Sequence, residues 1–139
     1  MCIRDRLHGE KAEDVTHPDL FFVRGDRDSL NGWQAFLGVP DLVVEILSPS
    51  TRGEHAPGGR LYLAYERNGL PHYWAIDPRE RLIKQYALVG EPYRAGGRFG
   101  EPVILREGNT LSSPLFPTIT APVARLFERV RRHEELAGA

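Results

Sequence analysis

The sequence predicts an α+β domain with a mixed central β-sheet and flanking helices. Three observations predict it. Val39–Ile46 is a run rich in Val, Leu and Ile, with turn residues closing both ends. A second apolar run, Pro71–Pro78, ends in an Asp-Pro turn and leads through Arg79-Glu80-Arg81 to a third, Leu82–Leu88, in hairpin fashion. Two stretches, Arg60–Asn68 and Ala121–Leu136, carry helical periodicity. The order of strand, strand, helix, several strands and helix is that of an α+β domain.

The elements follow along the chain. Leu7–Thr16 is polar and irregular. Leu20–Val23 is a short strand with Pro18 at its start and Asp19 beside it. Arg24–Ser29 is a charged loop, Asn31-Gly32 a turn signal, and Trp33–Leu37 an apolar link to the central strand. Ser48-Pro49-Ser50-Thr51 ends that strand, and Arg52–Gly59 reads as a loop rich in Gly, Pro and charge. In Arg60–Asn68, Leu61, Ala64 and Tyr65 share a face, and Gly69 provides the stop. Gly90–Gly100 is a loop with a short strand around Tyr93, and Pro102–Leu105 is a further strand. Glu107-Gly108-Asn109 is a turn and Thr110–Thr120 an extended loop. Ala121–Leu136 is the strongest helix, with Pro122 at its first position and Val123, Leu126, Phe127 and Val130 as its apolar stripe.

A chain of 139 residues suffices for one domain with one core. With 41% hydrophobic and 27% charged residues it is globular rather than disordered. The net charge of −1 gives no global basic signal, so any contact with nucleic acid falls to local Arg clusters. Lysine occurs only at Lys11 and Lys84. The single Cys2 permits neither an internal disulfide nor a Cys-based zinc site. No apolar run approaches the ~18 residues of a membrane span, and a cytoplasmic location is the default expectation. Met1–Arg6 looks like translated sequencing-adapter sequence and is set aside as non-native. Residues 7–139 are then one domain, expected to lack its original N-terminal part.

The functional clue is a misfit. The central strand carries two carboxylates, Asp41 and Glu45, where a buried charge is costly unless paired or bound to a metal. Alternation puts Asp41, Val43, Glu45 and Leu47 on one face. At ~3.3 Å per residue the two acids stand roughly 13 Å apart, too far to grip one ion together. If Glu45 binds a metal, its best partner comes from a neighbouring strand, and a candidate lies upstream.

Pro18–Val23, Val39–Thr51 with its Ser-Pro-Ser-Thr tail, and Gly69–Pro78 together resemble the Uma-type "putative restriction endonuclease" family of the PD-(D/E)XK nuclease superfamily. The resemblance spans roughly residues 15–130. It implies a restriction-endonuclease-like core and Mg²⁺- or Mn²⁺-dependent hydrolysis of DNA phosphodiester bonds. It implies Asp19 and Glu45 as the metal-binding acids, with Asp41 as a third ligand or a structural acid. Many nucleases of the superfamily dimerise, so a homodimer stays open.

The chain departs from the superfamily at its lysine. The position two residues after the second acid is Leu47. The family's helical Lys falls on Leu61 when Tyr65 is aligned, and Arg60 is one residue, about 100°, out of register. Arg60 is the candidate phosphate-facing cation, able to hold charge but a poor general base. His55 is a lesser candidate for a ligand or base, and Tyr65, Tyr73 and Trp74 read as core. Two alternatives stand beside the nuclease: an inactive or incomplete relative that binds DNA or a protein partner, and a structural domain in which Glu45 is ion-paired. The first needs no catalysis; the second needs a basic side chain buried against Glu45.

Overall fold

The computed structural model describes residues 2–4, 16–30 and 35–138. In chain order the elements are β1 (Cys2–Arg4), β2 (Leu20–Phe22), a 3-10 turn over Gly25–Leu30, β3 (Ala35–Leu37), β4 (Leu42–Ile46), α1 (Arg52–His55) and α2 (Arg60–Arg67). There follow β5 (His72–Asp77), β6 (Leu82–Val89), β7 (Arg98–Phe99), β8 (Val103–Arg106), β9 (Thr110–Leu111), β10 (Ala121–Pro122), α3 (Val123–Leu126) and α4 (Glu128–Ala137). The main sheet is mixed and six-stranded, in the order β2-β4-β5-β6-β7, with β8 also paired to β6. β4 and β5 run parallel, joined by a crossover through α1 and α2. β2 pairs antiparallel to β4, and β6 antiparallel to β5.

The pleat of β4 divides the core. Val43 faces the α2 side, where Tyr62, Tyr65, Leu70, Tyr73, Tyr86 and Phe99 pack together. Leu42 and Val44 face the other side, against Trp74, Ile83, Val123 and Phe127. The first layer is aromatic, with Tyr73 stacked on Tyr86 at 5.6 Å and edge-on to Tyr62 at 6.4 Å. A strand covered on both faces is largely apolar, which is why β4 reads as an apolar run interrupted only by Glu45.

Several expected elements differ. The central strand begins at Leu42 rather than Val39, because Pro40 has no amide proton to give a ladder. The supposed loop after Ser48–Thr51 contains α1. Tyr93 lies in a turn with φ +63°, and the short strand falls at Arg98–Phe99 instead. Thr110–Thr120 is not wholly loop, since β9 pairs with β10. The last helix does not run unbroken from Ala121: Ala121–Pro122 is strand, and Phe127, at φ −100° and ψ 5°, separates α3 from α4. Within its expected stripe Leu126 is 41% exposed, while Val123 and Phe127 are buried. Leu61 shares the buried face of α2 with Tyr62 and Glu66, and Glu66 accepts the Phe99 N–H at 2.8 Å.

β1 and β3 form a separate two-stranded parallel sheet, so part of the link ahead of the central strand is extended, as is part of the N-terminal segment set aside above. The irregular stretch expected over residues 7–16 lies outside the described residues except for Thr16. So do the Asn31-Gly32 turn and Trp33. No helix among the described residues is long and apolar enough to cross a membrane.

Gly69 ends α2 at φ +71°. A Cβ there would also come within 2.4 Å of the Arg94 backbone nitrogen. Strain and clash add, so Gly69→Ala is expected to cost roughly 2 kcal/mol or more, above the ~1 kcal/mol of a positive φ alone. Urea unfolding of the two proteins measures it; an unchanged midpoint would show that this turn tolerates a side chain.

Candidate active site

The β2–β4 register builds the site. Leu20 pairs with Val44, Phe21 with Val43 and Phe22 with Leu42. One step beyond the end of β2, Asp19 therefore stands opposite Glu45. Both side chains belong to the α2 face, as Phe21 and Val43 do. Asp19 Oδ2 accepts the Ile46 N–H at 2.7 Å, and the Asp19 N–H points to Glu45 Oε2 at 3.4 Å. The two acids thus stand side by side across neighbouring backbone segments.

They line an open cleft of about 340 Å³ with Thr16, Thr51, His55 and Tyr65. Glu45 is 5% exposed, and the Tyr65 hydroxyl donates to its Oε1 at 2.5 Å. Burial pushes the Glu45 carboxyl up to about 7; the Tyr65 and Asp19 N–H hydrogen bonds oppose the shift, and the charge of Asp19 adds to it. Burial, then the charge of Glu45, pushes the Tyr65 hydroxyl up and keeps it protonated as a donor. His55 Nδ1 lies 2.9 Å from the Tyr73 hydroxyl, and burial lowers its pKa so that the ring is neutral near pH 7.

Among the described residues no Lys or Arg pairs with Glu45, so the ion-paired alternative finds no basic partner among them. Nor does any group of three His, Cys, Asp or Glu side chains come together there to hold a metal. The acidic pair is what the cleft offers a hard cation, and Mg²⁺ is commonly held by one or two carboxylates with water and substrate phosphate completing its shell.

Asp41 has another task. It is 1% exposed, and its Oδ2 accepts the Arg24 N–H and Arg27 Nη1, each at 2.9 Å. Tyr93 donates to its Oδ1 at 2.5 Å, and the Arg27 guanidinium lies 3.7 Å over that tyrosine's ring. Burial works to raise the Asp41 pKa, but the Tyr93, Arg24 and Arg27 contacts outweigh it and hold the carboxyl below its usual range. Arg60 does not line the cleft. Its side chain is 70% exposed and pairs with Glu54 at 3.2 Å.

Sequence reasoning missed Tyr65 as a site residue by assigning it to the core. It is both, with its ring in the aromatic layer and its hydroxyl on Glu45. Its helical position facing the central strand was the available signal.

A mixed sheet with strand-borne acids facing each other is a restriction-endonuclease-like fold, and the comparisons agree. Residues 5–124 match the Uma2 family model, described as "Putative restriction endonuclease", and the chain belongs to that family. It is also similar to the crystal structure of a "putative nuclease belonging to DUF820" from Anabaena variabilis, at 19% identity and a TM-score of 0.61. That likeness covers 91% of this chain and 64% of the other, so the chain spans about two-thirds of that protein's length. A search of curated proteins gives no match.

Two predictions follow from the acids. Asp41→Ala leaves the Arg27 guanidinium, only 19% exposed, without its partner, and should cost roughly 3 kcal/mol in urea unfolding. A near-neutral result would mean that solvent takes over the pair. Glu45 is the opposite case. Between its ordinary 4.5 and about 7 the folded protein binds a proton that the unfolded chain does not, so stability falls as pH rises through that window. In metal-free buffer at pH 8, Glu45→Gln should stabilise by ~2–3 kcal/mol, an advantage that vanishes at pH 4.5. An equal gain at both pH values would assign the effect to packing instead.

Proposed function

We propose that the protein is a metal-dependent nuclease that hydrolyses phosphodiester bonds in DNA, with Asp19 and Glu45 as the ligands of Mg²⁺ or Mn²⁺. One observation carries the reading: two carboxylates face each other in an open cleft, and no Lys or Arg among the described residues pairs with them. Bringing like charges together costs energy that a divalent cation would return. The donors fit such an ion, being hard oxygens with lone pairs to spare. When bound, it would supply charge neutralisation at the scissile phosphate and an activated water.

The chain's own residues do the rest. Tyr65 fixes the Glu45 carboxylate by its hydroxyl, and the Ile46 N–H fixes that of Asp19. His55 forms a neutral wall of the cleft, held by Tyr73. Membership of a restriction endonuclease family supports DNA as the substrate class.

Calorimetric titration with Mg²⁺ beside a plasmid-nicking assay tests this. The parent should bind and nick. Asp19→Asn and Glu45→Gln should each lose metal binding and reduce nicking by at least ~100-fold, the order of a removed catalytic group. Binding without nicking would favour the inactive relative. No metal binding by the parent would overturn the assignment.

A further inference from the structure

A second cavity of about 230 Å³ adjoins the acidic cleft, and His55 lines both. Leu47, Arg52, Ala75, Asp77 and Lys84 contribute to its walls. Strand register explains why Lys84 is there. Glu45 pairs with Ala75, and Ala75 with Lys84. Directly paired residues share a face, so Asp19, Glu45, Ala75 and Lys84 form one row across four strands. At ~4.8 Å between strands, the Cα atoms of Glu45 and Lys84 are roughly 10 Å apart. Only the methyl group of Ala75 stands between them in the row.

The charges of this cavity are unequally committed. Asp77 holds Arg52, with Arg52 Nη2 at 3.0 Å from Oδ1 and Nη1 on Oδ2, and also accepts the Arg79 and Glu80 N–H groups. Lys84 makes no hydrogen bond or ion pair among the described residues. A half-buried lysine beside a satisfied carboxylate is a cation open to an anion. The anion must be small, because the cavity is below the ~300–1,000 Å³ typical of whole small-molecule sites. An ammonium is a compact point charge with three donors, suited to one phosphate group.

We propose that this second cavity is a phosphate subsite, in which Lys84 binds a phosphodiester group of the DNA strand next to the one held at Asp19 and Glu45. The proposal rests on the nuclease reading of the first cleft and adds a direction to it. The strand passes His55, from the Asp19–Glu45 cleft to the Lys84 cavity. Arg52, neutralised by Asp77, shapes the cavity wall and leaves Lys84 as the binding charge.

The test is fluorescence anisotropy of a labelled DNA duplex with Ca²⁺ in place of Mg²⁺, across a NaCl series, for the parent, Lys84→Gln, Lys84→Ala and Lys84→Arg. Loss of one phosphate contact should weaken binding about 5–10-fold at low salt and lower the slope of log affinity against log salt by ~0.9. Lys84→Arg should restore most of both. Arg129→Ala, an exposed cation on α4, should match the parent. Calorimetric Mg²⁺ affinity should be unchanged in Lys84→Gln, which separates this subsite from the metal pair. Parental affinity and slope in both neutral variants overturn the proposal, as does a parent that binds no DNA. Undiminished Mg²⁺ binding in Glu45→Gln would instead overturn the metal-pair reading and leave the Lys84 comparison to stand on its own.

Discussion

The pairing of β2 with β4 is the constraint on which the site depends. β2 has only three residues and stands at the sheet edge. A slip of one residue would turn Asp19 to the Trp74 face and leave Glu45 without its neighbour. The register is pinned at both ends. At one end the Asp41 N–H donates to the Phe22 carbonyl at 2.9 Å, while the Asp41 carboxylate holds Arg24 and Arg27 just beyond β2. At the other, Asp19 takes the Ile46 N–H. Asp41, just ahead of β4, and Glu45 within it thus divide the labour. Asp41 fixes where β2 lies, and Glu45 faces what β2 brings.

The aromatic layer beneath the cleft answers a second problem, which is how to hold polar groups over an apolar core. Tyr65 and Tyr73 bury their rings against Tyr62, Tyr86 and Phe99, and raise their hydroxyls to Glu45 and His55. A phenylalanine layer would pack as well but leave Glu45 with one fewer donor and His55 without its hydroxyl partner. The same burial that raises the Glu45 pKa keeps both hydroxyls protonated. Stability and site therefore draw on the same side chains.

Much of this was legible in the chain. β4 and the β5–β6 hairpin announced themselves by apolar runs and turn residues, and α2 by periodicity and its terminal glycine. Strand geometry put any metal partner of Glu45 on a neighbouring strand, and the family resemblance pointed to Asp19. What could not be read depends on pairings remote in sequence. The position of Lys84 in the Glu45 row needs two strand registers to be known together. Arg60 was judged by its distance along a helix, yet the direction in which it points is set by where α2 starts after Gly58-Gly59. The break at Phe127 leaves no mark in the periodicity, because its ring is buried beside Val123 just where an unbroken stripe would put it. Two-residue ladders such as β9–β10 carry no pattern at all.

His55 is a partition. One imidazole, tethered to Tyr73 and carried at the end of the single helical turn that Arg52 fastens to Asp77, closes off two chambers at once. An occupant that displaced it from one side would be felt on the other. If an occupant of the first chamber changes affinity in the second, the reverse change is equal in magnitude by thermodynamic reciprocity. Two phosphates of one strand, seated on either side of such a wall, would then report on each other through a single imidazole.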